Sequence, residues 1–137
     1  MKPHVLLRIA AVVALLLAAG HTAGAPWTPS KGMAEAGLLQ LMKSLHFDVM
    51  GTSRTYFDFY FGFGVSISVY LFTQAIILWQ VAGLAKSNAK IVRPIVATMF
   101  LSYIAGGVVT VMYFFAAPIV FSAVVCFFIA WAWAKSE

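Results

Sequence analysis

The sequence predicts an all-α fold, namely a four-helix transmembrane bundle with a short interfacial amphipathic helix between the first two spans. Of its 137 residues, 63% are hydrophobic and only 9% are charged, whereas charged residues make up about a quarter of a soluble domain. Four apolar stretches are also about as long as, or longer than, the roughly 20 residues that a helix needs to cross the hydrocarbon core. The whole chain, 1–137, is therefore expected to be a single integral membrane domain.

The first span is expected over about residues 5–24. Lys2, Arg8 and the apolar run after them resemble a signal peptide, and residues 23–25 resemble its small-residue cleavage site. Cleavage there would place Pro26 first in the mature chain, where its constrained backbone should fit a peptidase poorly. Because the run is also long enough to span the membrane, we expect it to be retained.

The segment after the first span predicts an amphipathic connector over about residues 31–47. Pro26 and Pro29 end the first helix, and Ser30 is suited to cap the next one. Polar side chains lie opposite an apolar face formed by Leu38, Leu41, Met42, Leu45 and Val49. This pattern indicates a helix that lies on the membrane or packs on the bundle as a lid, and the two roles are compatible.

Three more spans follow, at about residues 57–84, 94–114 and 118–134. The first begins after the helix-breaking residues 51–53. Pro94 suits the first turn of the next helix, which follows a loop containing Lys86, Lys90 and Arg93. A tight uncharged turn is expected at Ala116, Ala117 and Pro118.

The distribution of basic residues predicts that both termini are cytoplasmic in a bacterial inner membrane. Four spans place both ends on one side, which would carry six cations against three opposite. The six are Lys2, Arg8, Lys86, Lys90, Arg93 and Lys135, and the three are Lys31, Lys43 and Arg54.

Small residues at helical spacing predict the interior face of each span, because they let helix backbones approach closely. These lanes are Ala10, Ala14 and Ala18; Gly62, Ser66 and Thr73; Ser102, Gly106 and Thr110; and Ser122, Cys126, Ala130 and Ala134.

Several classes of function are disfavoured by the residue types present. The net charge of +5 comes from scattered cations that flank apolar runs, so no nucleic-acid partner is expected. Cys126 is the only cysteine, which excludes an internal disulfide. We expect no metal site and no cofactor, since the three histidines are spread along the chain and only His21 lies within a span.

Four residues form a candidate polar cluster or ligand site, namely His21, Arg54, Asp58 and Tyr60. Ionisable groups inside a membrane are costly, so their convergence at one depth suggests a proton relay or a site for a polar headgroup. The structural alternative is a capping box in which Thr55 and Asp58 stabilise the start of the second span. His21 would then only donate a hydrogen bond to a carbonyl or to Asp58. No residue is assigned a catalytic role.

A candidate entrance for a ligand is formed by Trp27, Tyr56 and Phe61. It favours a non-enzymatic module that binds a lipid-like or hydrophobic small molecule, or that supports a larger complex with a membrane-protein partner or further copies of itself. The alternative is a membrane enzyme or proton-coupled carrier acting on a quinone- or isoprenoid-like substrate through His21. The last two spans offer no second acid–base group, which favours the first hypothesis.

Two motifs also carry a resemblance. His21-Thr22-x-Gly24 closes the first span, and Arg54-Thr55-x-x-Asp58-Phe59-Tyr60-x-Gly62-Phe63-Gly64 opens the second. In this half the chain resembles small four-span bacterial membrane proteins of uncharacterised function. The resemblance implies the four-helix fold and a role for these polar positions. A likeness to four-span proteins of the DoxX type is looser.

Overall fold

The computed structural model describes residues 1–24, 27 and 30–136, and within them the fold is all-α apart from one small hairpin. The helices are α1 (Pro3–Gly24), α2 (Met33–Ser44), α3 (Tyr56–Ser87), α4 (Arg93–Tyr113) and α5 (Ala116–Ala134). All except α2 are long and apolar enough to cross a membrane. The chain is therefore an integral membrane protein, and the predicted class of four spans with a short helix between the first two is confirmed.

The connections between the last three helices are short. The loop after α3 is closed where the Asn88 side-chain oxygen accepts from the backbone N–H of Ile91 at 3.2 Å. The turn before α5 lies at Phe114 and Phe115, two residues earlier than expected. Ala116 already belongs to α5, and Pro118 is accepted there because the first turn of a helix does not need its N–H.

The chain divides into two compact units, of which unit 1 comprises Met1–Ala19 and Leu71–Glu137. Its core contains branched aliphatic side chains from all four spanning helices. Leu6, Leu78, Val96, Val125 and Ile129 are fully buried. Because lipid is as apolar as these side chains, their burial stabilises the bundle through van der Waals packing between helices.

The alanine lane of α1 is confirmed. The α5 lane is half-buried at Ser122, Cys126 and Ala130, whereas the predicted lanes of α3 and α4 lie mainly at the surface. Ala10, Ala14 and Ala18 are fully buried. In contrast, Gly62 and Gly106 lie at the surface, and a Cβ atom added to either would meet nothing within 4 Å. The buried small residues of α3 are instead Ala75, Ala82 and Ala85, which lie nearer the end of that helix.

Unit 2, Gly20–Tyr70, contains the connector and the start of α3. Here α2 starts after Gly32 without a side-chain cap, so the predicted cap at Ser30 is wrong. The helix also ends at Ser44, earlier than the predicted 31–47, and an antiparallel hairpin of β1 (His46–Val49) and β2 (Thr52–Thr55) follows.

The helix ends where Leu45 adopts an extended backbone, and a tight turn closes the hairpin that follows. Met50 and Gly51, its two central residues, both have positive φ, 49° and 80°. Two-residue hairpin loops of type I′ require that conformation, and it matches the twist of the flanking strands. Val49 therefore pairs with Thr52 in the ladder and does not continue the apolar face of α2.

Candidate functional site

The start of α3 is stabilised by a reciprocal capping box. The backbone N–H of Thr55 donates to Asp58 Oδ2 at 2.8 Å, and the backbone N–H of Asp58 donates to Thr55 Oγ1 at 3.1 Å. Both N–H groups lie at a helix start, where the helix itself provides no acceptor. The capping interpretation of this sequence stretch is confirmed, and one oxygen of Asp58 is committed to it.

Arg54 lies on strand β2, immediately before the capping box. Its Nη1 donates to the carbonyl oxygen of Ser53 at 3.0 Å. Within the described part of the chain, no ion pair within 4.0 Å joins it to Asp58, although both side chains line the same groove. The remaining guanidinium donors of Arg54 are thus available to a ligand.

His21 makes its contact deeper along α3 than the capping box. Its Nε2 donates to the carbonyl oxygen of Gly64 at 3.1 Å, which requires the ring proton to be on Nε2. One residue later, the Thr22 hydroxyl donates to Ser68 Oγ at 3.0 Å. Ser68 is buried, with 6% of its surface exposed. These two bonds form a polar link between the end of α1 and the third and fourth turns of α3.

The four predicted cluster residues are therefore not joined into one hydrogen-bonded group. In the described residues, His21 has no hydrogen bond to Asp58, and Tyr60 contacts Phe57 only through its ring, at 6.3 Å between centroids. The sequence did not reveal Gly64 or Ser68 as partners. A backbone carbonyl leaves no signal in a side-chain pattern, and Ser68 lies outside the small-residue lane predicted for this helix.

The predicted entrance residues lie in two separate rows of aromatic rings. In the first row, the Trp27 and Phe61 rings meet edge to face with their centroids 5.8 Å apart. The centroids of Phe61 and Phe57 are 6.0 Å apart. The Trp27 indole N–H donates to the carbonyl oxygen of Thr22, which ties this ring to α1. Lys43 of α2 lies over the Phe57 ring, 4.6 Å from its centroid.

The second row passes from the hairpin onto α3. The ring centroid of Phe47 on β1 lies 4.8 Å from that of Tyr56 and 5.6 Å from that of Phe59. The centroids of Phe59 and Phe63 are 6.1 Å apart. Phe47 was missed because the hairpin that brings it to α3 was not predicted. Such offset and tilted ring pairs each contribute about 0.5–1.5 kcal/mol beyond simple burial.

Beside the second row lies a groove, called here the α3 groove, with a volume of about 410 Å³. Its lining combines charged and hydroxyl-bearing residues with aromatic, aliphatic and small ones, and it comes from both strands of the hairpin and from α3. Its lining residues are Val49, Thr52, Arg54, Asp58, Phe59, Gly62, Phe63 and Ser66. The groove is open and not enclosed, so a molecule bound there would keep part of its surface in contact with its surroundings.

Within the described residues, no group of three His, Cys, Asp or Glu side chains is placed to hold a metal ion. Comparison with protein-family models, curated proteins and solved structures finds no match to this chain. The site must therefore be interpreted from its own geometry.

Proposed function

We propose that the chain is a non-enzymatic membrane module that binds a lipid-like or hydrophobic small molecule in the α3 groove. The observation that carries this proposal is that charged and apolar side chains line the same groove. An amphipathic molecule needs both, with its polar end near the membrane surface and its hydrocarbon along a spanning helix. A module that supports a larger membrane complex would use the same surface.

The charges of the groove favour a ligand whose polar group carries no net charge. Arg54 offers guanidinium donors for an oxygen-rich group. Asp58 keeps one carboxylate oxygen outside the capping box and would repel an anion. Hydrocarbon would lie along Phe59 and Phe63, where Gly62 leaves the helix surface open.

A binding role is favoured over catalysis because the last two spans offer no second acid–base group to act with His21. His21 does not line the α3 groove, and its Nε2 is committed to Gly64. From residue 94 to residue 134 the sequence contains no Asp, Glu, Lys, Arg or His. A transport relay or an isomerase would usually need a second such group within the spans.

The second candidate is a membrane enzyme or proton-coupled carrier for a quinone- or isoprenoid-like substrate. It is favoured by one observation, that His21 Nδ1 has no hydrogen-bond partner among the described residues. With the proton on Nε2, Nδ1 is the basic nitrogen of the ring. Substrate turnover that is lost in His21→Gln would favour this candidate over the binding module.

We further propose a bacterial inner-membrane location with both termini in the cytoplasm. The basic residues near the termini and the resemblance to small four-span bacterial proteins support it. Single cysteines placed in the hairpin and in the loop after α3 should be labelled from the periplasm and the cytoplasm, respectively, in a background of Cys126→Ala. The reverse labelling would contradict this orientation.

A pair of glycine substitutions tests ligand binding in the α3 groove. A leucine fits at both Gly62 and Gly106, because both lie at the surface with nothing near an added Cβ. Only Gly62 lines the groove, so Gly62→Leu should fill it while Gly106→Leu should not. Mass spectrometry of the purified protein should show a co-purifying lipid-like molecule that Gly62→Leu loses and Gly106→Leu retains. Equal retention in both variants would contradict the proposal.

A further inference from the structure

We propose that unit 1 carries a site for one anionic phospholipid, with the phosphate against Arg8 and an acyl chain along α1. It is formed by residues other than those of the α3 groove. The site is a second groove, called here the α1 groove, with a volume of about 390 Å³. Of the described residues that line it, only Arg8 is charged, and the others are Val5, Ile9, Val12, Val13 and Trp79.

The guanidinium of Arg8 is held in place but has no acceptor among the described residues. Its central carbon lies 4.2 Å from the centroid of the Trp79 ring, the geometry of a cation–π pair. None of its N–H groups donates a hydrogen bond to another described residue. A planar fork of five donors matches phosphate oxygens, and the stacked ring restricts its orientation before any ligand binds.

The position of Arg8 suits the headgroup level of a bilayer. Arg8 follows the helix start at Pro3 by five residues, about 7.5 Å along the axis. From there the apolar side chains Ile9, Val12 and Val13 continue the α1 groove in the direction of the span. A phosphate at Arg8 would thus place its acyl chain against these residues.

The charge of unit 1 selects an anionic lipid over a neutral one. Six cations lie in this unit, and none of its described residues is an Asp or Glu. A positive-inside bias accounts for the number of cations, yet it does not explain an apolar groove beneath one of them. Basic groups set between spanning helices are a usual means of binding anionic headgroups.

Arg93 provides a matched control for Arg8. Its guanidinium lies over the Trp133 ring at 4.5 Å, so it makes the same kind of pair in the same unit. It lines neither groove. Replacing either arginine with glutamine removes one positive charge, but only Arg8→Gln removes the proposed phosphate ligand.

Native mass spectrometry of the full chain, titrated with phosphatidylglycerol or phosphatidylcholine of identical acyl chains, tests the site. We expect tighter binding of phosphatidylglycerol, about a tenfold loss of that affinity in Arg8→Gln, and no change in Arg93→Gln. Val12→Phe should also lower the affinity, since it fills the α1 groove and leaves Arg8 in place. Val120→Phe, at an exposed position of α5 outside both grooves, should not.

Three results would overturn the proposal. Equal losses in Arg8→Gln and Arg93→Gln would show attraction by overall charge and no defined site. Full affinity in Val12→Phe would show that the α1 groove does not hold a chain. Displacement of the lipid by soluble glycerol phosphate at equal concentration would show that the headgroup alone accounts for binding.

Discussion

At the scale of single residues, the polar side chains near the start of α3 form two separate hydrogen-bonded groups. Thr55 and Asp58 satisfy each other's backbone N–H groups at the helix start. His21 donates to Gly64, two turns further along the helix axis. Residues that share no hydrogen bond or packing contact usually act additively on stability.

We therefore expect His21→Ala and Asp58→Asn to be additive in a double-mutant cycle read by unfolding in mixed micelles. The positive control is the cycle of Thr55→Ala with Asp58→Asn, which should be non-additive because both residues belong to one capping box. Thr55→Ala alone should cost about 1 kcal/mol. Coupling between His21 and Asp58 beyond experimental error would restore the hypothesis of a joint site.

At the scale of elements, α1 and α3 are joined in unit 2 by the polar link of His21 and Thr22 with Gly64 and Ser68. Burial of Ser68 keeps competing water away from the hydroxyl pair. Hydrogen bonds between spanning helices nevertheless contribute modestly, because the unfolded chain in the membrane also finds polar partners.

The cycle of Thr22→Val with Ser68→Ala should give a coupling of about 0.6 kcal/mol, the mean for such contacts between spanning helices. Ser66→Ala supplies the control, since Ser66 lies on the surface of the same helix and makes no hydrogen bond in the described structure. A cycle of Thr22→Val with Ser66→Ala should be additive. Stronger coupling to Ser66 than to Ser68 would contradict the described packing.

The hairpin depends on its turn, where Gly51 adopts a φ of 80°. This conformation costs an L-residue with a side chain about 1–2 kcal/mol. We expect Gly51→Ala to speed amide hydrogen exchange in strand β2 by about fivefold or more, the factor that corresponds to 1 kcal/mol. Gly37→Ala on the exposed face of α2 should leave these amides unchanged. Equal protection in both variants would show that the turn does not limit opening of the hairpin.

At the scale of the whole molecule, composition and length were sufficient to predict the four spans. The capping box was also predictable, because both of its partners lie within four residues of sequence. The hairpin was not, since His46–Val49 and Thr52–Thr55 are four residues each and show no clear alternation of apolar and polar residues. Long-range partners such as Gly64 for His21 depend on helix packing. Small-residue spacing predicted the buried face fully in α1, partly in α5 and not in α3 or α4.

The length of α3 sets it apart from the other spanning helices. It has 32 residues against 22, 21 and 19 in α1, α4 and α5. At 1.5 Å per residue it measures about 48 Å, whereas the hydrocarbon core is about 30 Å thick. An upright α3 would therefore extend beyond the hydrocarbon, and a tilted one would place more of its length inside.

We expect this difference in length to make the stability of the protein depend on bilayer thickness. Lipids with longer acyl chains form a thicker hydrocarbon core. A thicker core matches the length of α3 better but exceeds the length of the shorter helices, so the two effects on stability oppose each other. In bilayers of 14- to 22-carbon lipids, thermal stability should pass through a maximum, and the tilt of α3, measured by oriented infrared spectroscopy, should decrease steadily. If the tilt of α3 does not change with acyl-chain length, contacts within the protein and not the membrane determine the orientation of this helix.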